Sequence, residues 1–163
     1  REELTTQARL YRLDKAAAAA RADELAADLD LGDFLDRPCG ALSGGQRRRL
    51  DIAMGLVHRP RVLFLDEPTT GLDPGSRVDL WDLVRRIRDE WGTTVFLTTH
   101  YLDEADALSD RLVIVDGGRI VAEGTAHSLK TRHAGSPDAS LQDAFIAITG
   151  RRTPAPADTP IAV

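Results

Sequence analysis

The sequence predicts an α/β domain. Two continuous apolar runs of strand length, "RVLFLD" at 61–66 and "TTVFLTTH" at 93–100, flank a segment of helical period, and alternation of this kind builds a parallel sheet covered by helices. A third observation is "RLVIVDGGRIVAEG" at 111–124, two strand-like runs around Gly117 and Gly118, the signal of a two-residue hairpin. With 163 residues and 42% hydrophobic side chains, the chain has the length of one domain, and a chain of that size buries about 68–70% of its unfolded surface.

The elements follow in order. Asp14 precedes "KAAAAARADELAADLD", where the alanines and the pair Leu25 and Leu29 predict a helix capped by Asp14. "LGDFLDRPCGA" breaks it. A second helix is predicted from Ser43 to about Val57, with Leu50, Ala53, Met54 and Val57 on one face. "RVLFLD" reads as a central strand covered on both faces and stopped by Pro68. "SRVDLWDLVRRIRDEWG" carries Val78, Trp81, Val84, Ile87 and Trp91 as an amphipathic stripe and ends at Gly92. "YLDEADALSD" predicts an exposed helix. After Gly124 come a short helix, a "HAGSPDAS" loop and an apolar helix "LQDAFIAITG"; residues 151–163 predict a disordered tail.

The totals exclude several functions. A net charge of -5 and a pI near 5.3 argue against a general nucleic-acid binder, leaving Arg47, Arg48 and Arg49 to solvate a helix face or steer phosphate. Cys39, the single cysteine, predicts no internal disulfide and reads as a small buried hydrophobe. His58, His127 and His133 lack ligand-spaced partners and read as surface residues. No apolar stretch approaches the roughly 20 residues that span a bilayer. The first residue is Arg1 rather than methionine, which predicts a piece of a longer protein.

Two strands deliver polar groups to their carboxyl ends, Asp66 with Glu67 and Thr99 with His100, where open α/β sheets bind ligands. Two adjacent carboxylates ending a strand repel one another unless a cation or substrate compensates them. Mg²⁺ is the natural compensator: Asp66 would hold it directly or through water, Glu67 would orient or deprotonate an attacking water, and His100 would stabilise a terminal phosphate. Ser43 and Gln46 have the spacing of a capping box. Gly44 and Gly45 leave the first-turn N–H groups unshielded, and such a helix start binds anions.

In that order, Leu42-Ser43-Gly44-Gly45-Gln46, the strand ending in Asp66-Glu67-Pro68, the Gly71-Leu72-Asp73 loop and His100 resemble the motifs of ABC ATPases. "TTHYLDEAD" and "GRIVAEGT" are most similar to the ATP-binding subunits of drug-resistance exporters of the daunorubicin type. The resemblance implies a partial P-loop NTPase-like ABC ATPase fold. Residues 1–57 would form the helical signature region, 58–130 the Walker B, switch and hairpin core, and 131–150 the C-terminal helix. It implies that ATP is sandwiched between two such domains. Ser43, Gly44, Gly45 and Gln46 would bind the ATP held by the partner, Asp66, Glu67 and His100 would serve the chain's own, and Asp73 would signal across the interface. The implied partners are a second nucleotide-binding domain and a separate membrane permease, at the inner face of the cell membrane, with no nucleic acid.

One family motif is missing. Nothing in the 163 residues matches G-x-x-x-x-G-K-[ST], so the chain alone is expected to bind Mg-ATP poorly and to expose unpaired strand edges. Two other readings compete: a P-loop-less domain that docks to a full-length partner, and a non-transport ABC ATPase acting on DNA or ribosomes. "DEAD" at 103–106 belongs to RNA helicases only when it ends a buried strand, whereas here it falls on a predicted helix.

Overall fold

The computed structural model describes residues 1–150. The expected disordered tail, 151–163, lies outside the described residues. The chain divides into two compact units, Arg1–His100 and Tyr101–Val163.

The first unit opens with α1 (Glu2–Leu10), a helix that the sequence reading does not foresee. Its inward stripe is only Leu4 and Ala8, one turn apart, too sparse to register as periodicity. α2 (Lys15–Asp28) starts where expected, the Asp14 carboxylate accepting the Ala17 N–H at 2.8 Å. Ala18, Ala22, Leu25 and Ala26 form its buried face, and Leu29 and Leu31 continue the core past its end. Two one-turn 3-10 helices follow, at Gly32–Phe34 and Cys39–Ala41. Cys39, expected to be buried, is partly exposed with its Sγ 3.8 Å from Glu3 Oε1, because it opens the second of these surface turns directly after Pro38.

α3 (Gly44–Leu56) buries Leu50, Ile52, Ala53 and Leu56, and Val57 just beyond it, while Met54 is only half-buried. Its last carbonyls would be orphaned in the core. Arg21 of α2, 7% exposed, resolves this by donating through Nη2 to the Leu56 carbonyl at 2.7 Å and through Nε to the Val57 carbonyl at 3.1 Å. Glu24 balances the guanidinium at 2.9 Å and also pairs with Arg59. Partial burial pushes the Glu24 carboxyl up, but the Arg21 and Arg59 hydrogen bonds and charges outweigh it and hold the group below its ordinary value.

β1 (Val62–Asp66) and β2 (Thr94–Thr98) pair in parallel, Val62 opposite Thr94 through Asp66 opposite Thr98, with α4 (Pro74–Trp91) between them in sequence. β1 is not the doubly covered central strand that the sequence predicts. Its sheet has two strands, and while Leu63 and Leu65 are buried, Val62, Phe64 and Phe96 stand 44%, 72% and 57% exposed. The Phe64 and Phe96 rings lie against each other at 5.5 Å on that bare face. The apolar residues that suggested two covers therefore alternate, and only one face has found a partner among the described residues. On α4 the buried stripe is Leu80, Leu83, Val84 and Ile87. Val78 is half exposed and Trp81 and Trp91 are half-buried, so the predicted stripe is displaced around the helix. Gly92 ends α4 at φ 62°, a left-handed cap that glycine adopts without penalty.

In the second unit α5 (Leu102–Leu108) precedes the antiparallel hairpin β3 (Leu112–Asp116) and β4 (Arg119–Gly124). Gly117 and Gly118 turn it with φ of 56° and 73°, the two positive values that a type I′ turn requires. α6 (Ala126–Ala134) and α7 (Leu141–Thr149) complete a small core of Ala105, Ile114, Leu129, Leu141 and Ala144. The "DEAD" stretch is indeed helical, but it is not wholly exposed: Glu104 is fully buried and Ala105 is 7% exposed, on the side of α5 that also buries Leu108, while Asp103 stays exposed. Asp106 pairs with Lys130 of α6. His58 and His127 are exposed as expected, His58 stacked on Tyr11 at 4.0 Å, while His133 is half-buried.

Arg21→Met preserves the volume and helix propensity of the side chain but strands two core carbonyls. Its expected cost is about 2–3 kcal/mol, seen as a lower urea midpoint at unchanged slope; a midpoint equal to that of the parent chain would refute the capping role.

Candidate functional site

The parallel register sets the site. Because Asp66 faces Thr98, the Thr98 hydroxyl donates to Asp66 Oδ1, fixing the carboxylate at the strand end. The ladder then runs one step further: the Glu67 N–H donates to the Thr98 carbonyl at 3.0 Å. There the chain turns sharply, with Glu67 at φ 44°. A glutamate in the left-handed region costs about 1–2 kcal/mol, a strain that persists only where the surroundings over-determine it and that gathers at functional positions.

Four contacts hold Glu67 beyond the strand. The Thr70 N–H donates to its carbonyl at 3.2 Å, and Arg48 Nη2 of α3 donates to the same carbonyl at 3.1 Å. On the side chain, the Thr70 hydroxyl donates to Oε2 at 3.1 Å, and His100 Nδ1 lies 3.1 Å from that same oxygen. Both His100 and Glu67 remain about half exposed, at 54% and 47%, so the carboxylate is aimed yet open to solvent and ligand.

The structure thus gathers Asp66, Glu67 and His100 as their spacing suggests. It adds two residues that the sequence reading passes over and gives a further role to two that it names. Thr98, not Thr99, meets Asp66; aligning "FLD" at 64–66 with "FLT" at 96–98 would have shown it, since parallel in-register strands place equal positions side by side. Thr70 had no signal beyond its place in the turn. Arg48 and Arg49 are more than a solvated face: Arg48 reaches Glu67, and Arg49 pairs with Asp30 at 3.5 Å and Asp79 at 3.7 Å.

At the start of α3 the capping box forms in full. The Gln46 N–H donates to Ser43 Oγ at 3.3 Å and the Ser43 N–H donates to Gln46 Oε1 at 3.1 Å. The glycines have a packing role as well. A methyl at Gly44 would lie 3.3 Å from Leu72, and one at Gly45 would lie 3.1 Å from the Ser76 hydroxyl, so α3 can lie against the loop and first turn of α4 only without side chains there. Asp73 caps α4: its carboxylate accepts the Ser76 N–H at 3.0 Å and the Ser76 hydroxyl at 2.6 Å. Those hydrogen bonds, the hydroxyl's first and the backbone's second, hold the Asp73 carboxyl below its ordinary range.

The donor set suits a hard divalent cation. Asp66 offers a carboxylate oxygen beside the Thr98 hydroxyl, and among the described residues no group of three or more His, Cys, Asp or Glu could hold a metal on its own. Mg²⁺ is commonly bound in this incomplete way, by one or two carboxylates with water and substrate phosphates. Among the described residues no helix is long and apolar enough to cross a membrane.

Comparison with known proteins agrees with this architecture. The ABC transporter family matches residues 1–70. A solved ATP-binding subunit of an ABC transporter superimposes with a TM-score of 0.71 at 28% identity, covering 91% of this chain and 61% of the other. The described chain is therefore part of an ATP-binding domain of the ABC transporter type. Within that class its sequence is similar to those of daunorubicin-resistance ATP-binding proteins. It is 53% identical over 135 residues to the daunorubicin resistance ATP-binding protein DrrA3 of Streptomyces coeruleorubidus, covering 83% of this chain and 42% of the relative. It is 55% identical over 130 residues to the daunorubicin/doxorubicin resistance ATP-binding protein DrrA of Streptomyces peucetius, covering 80% and 39%. The chain thus spans about two fifths of the length of these curated relatives.

Because the Asp73 carboxyl titrates lower in the folded chain than in the unfolded one, its contribution is fully present above the ordinary aspartate range and is lost as pH falls through the folded value. Asp73→Asn, which can still cap, should be less stable than the parent at neutral pH. The difference should close as pH falls through the ordinary aspartate range and the lower folded value, in urea melts followed by circular dichroism; a difference independent of pH would refute the titration account.

Proposed function

We propose that this chain supplies the hydrolytic strand ends and the signature helix of a transport-coupled ATPase. The observation that carries the reading is the Glu67 carboxylate, held in a strained left-handed turn and aimed by Thr70 and His100 beside the Asp66–Thr98 pair. A packing role requires no such device. In this reading Asp66, beside the Thr98 hydroxyl, would hold Mg²⁺, which would supply positive charge against the phosphates of the nucleotide. Glu67 accepts the proton of the attacking water. His100, linked to the same carboxylate oxygen, senses the terminal phosphate and keeps Glu67 oriented before substrate arrives. The half exposure of both side chains leaves room for water and phosphate.

Ser43, Gly44, Gly45 and Gln46 would present the N–H groups of α3 to ATP held by a second nucleotide-binding domain, and Asp73, at the start of the neighbouring helix, would lie at that interface. A separate permease would anchor the assembly at the cytoplasmic face of the membrane. The daunorubicin and doxorubicin resistance named for the two Streptomyces relatives supports a drug as cargo. A second reading is a docking scaffold without hydrolysis of its own, against which stand Glu67 and His100, whose arrangement a scaffold would not require.

The test is to read the coding frame upstream of Arg1 for G-x-x-x-x-G-K-[ST] and to assay the extended protein beside the 163-residue chain. We expect Mg-ATP hydrolysis by the extended protein and little by the chain alone. Glu67→Gln should lower kcat by roughly 10²–10⁴-fold while ATP binding persists. Hydrolysis unaffected by Glu67→Gln would refute the assigned base. A stop codon and a nearby start, with no P-loop, would transfer the weight to the scaffold.

A further inference from the structure

The three arginines after Gln46 have separate fates. Arg47 is exposed, Arg49 is pinned between Asp30 and Asp79, and Arg48 donates to the Glu67 carbonyl. Arg49's two acids come from the turn after α2 and from α4, so they tie α3 to both. The capping box fixes its start. From the helix so held, the half-buried Arg48 side chain reaches the strained residue.

Glu67 needs such a hold. Its N–H is committed to β2 through Thr98, so the left-handed φ of 44° determines where its carbonyl and side chain go. The Thr70 N–H and the Arg48 guanidinium both donate to that carbonyl. The guanidinium bond is the stronger kind, because its donor is charged. A relaxed, negative φ would turn the carbonyl away from both donors and swing the carboxylate away from Thr70 and His100.

We infer that Arg48 is a positioning residue for Glu67: it locks the Glu67 backbone in the left-handed turn, so that the placement of the signature helix sets the direction of the carboxylate. The consequence for catalysis rests on the function proposed above. If Ser43–Gln46 engage one ATP and Glu67 serves another, Arg48 is a direct mechanical link between the two, five residues from Ser43 and bonded to the base itself.

The experiment has two arms. In the 163-residue chain, nuclear magnetic resonance reads the Cα and Cβ shifts of Glu67, which report the sign of φ, and the exchange rates of the Thr70 and Ser76 amides. Arg48→Ala should move the Glu67 shifts toward a negative φ and raise Thr70 exchange about tenfold or more, the factor of one charge-assisted hydrogen bond. The Ser76 amide, held by Asp73, should keep its rate, which separates a local release from loss of the fold. Arg48→Lys should restore most of the effect. Unchanged Glu67 shifts and Thr70 exchange in Arg48→Ala would overturn the inference whatever the protein's activity.

The second arm uses the extended protein. Arg48→Ala should lower kcat about tenfold with the KM for Mg-ATP changed less than about twofold, the signature of a group acting after binding, with recovery in Arg48→Lys. Equal kcat in Arg48→Ala and parent would overturn the catalytic consequence alone. Absence of hydrolysis in the parent would instead defeat the proposed function, and the resonance arm would still decide whether Arg48 sets the geometry of Glu67.

Discussion

Everything at the site hangs on five residue pairs between two short strands. The register of β1 on β2 brings an aspartate against a threonine, and the last ladder bond, from Glu67 to Thr98, carries the pairing one residue beyond the point where β1 could have stopped. A slip of one position would exchange the faces of the strand. Asp66 would lose its hydroxyl partner, and Glu67 would lose the carbonyl against which it turns. The buried side chains Leu63 and Leu65, one of them close against Gly55 of α3, oppose such a slip. Packing on the covered face therefore protects polar geometry at the strand end.

The signature segment shows two demands met by the same residues. A helix start that receives anions benefits from bare N–H groups, and a helix that lies tightly against its neighbour benefits from missing side chains. Gly44 and Gly45 meet both, with Leu72 and Ser76 only 3.3 Å and 3.1 Å from where their methyls would be, closer than ordinary contact. Neither demand can be inferred from the other. A substitution that impairs this segment must be tested for altered packing of α4 before its effect is assigned to phosphate.

How much of this could be read from the sequence depends on the range of the interaction involved. Caps at Asp14 and Ser43, the left-handed stop at Gly92 and the paired glycines of the hairpin are local, and their residue types announce them. Asp66, Glu67 and His100 were legible because strand ends are where polar residues stand out. The contacts that complete the site span 19 to 32 residues and obey no spacing rule, so Arg48 and Thr98 stayed hidden. Burial on one face or two was equally hidden: a run such as "VLFL" is apolar in both cases, and only the partners differ. Cys39 and Glu104 went wrong for the same reason, since a residue's type states its preference and its neighbours decide its exposure.

The bare face of the strand pair has a thermodynamic meaning. Val62, Phe64 and Phe96 present apolar surface to water, and each Å² of such surface removed from water contributes about 25 cal/mol. Whatever covers that face binds the folded pair and not the unfolded chain, so its affinity and the stability of β1 and β2 are one free energy counted from two directions. The melting temperature of this unit then becomes a function of the cover's concentration, as it is for a receptor saturated by its ligand. Where the cover is tethered to the same polypeptide, that concentration is set by the tether's length and cannot be diluted away.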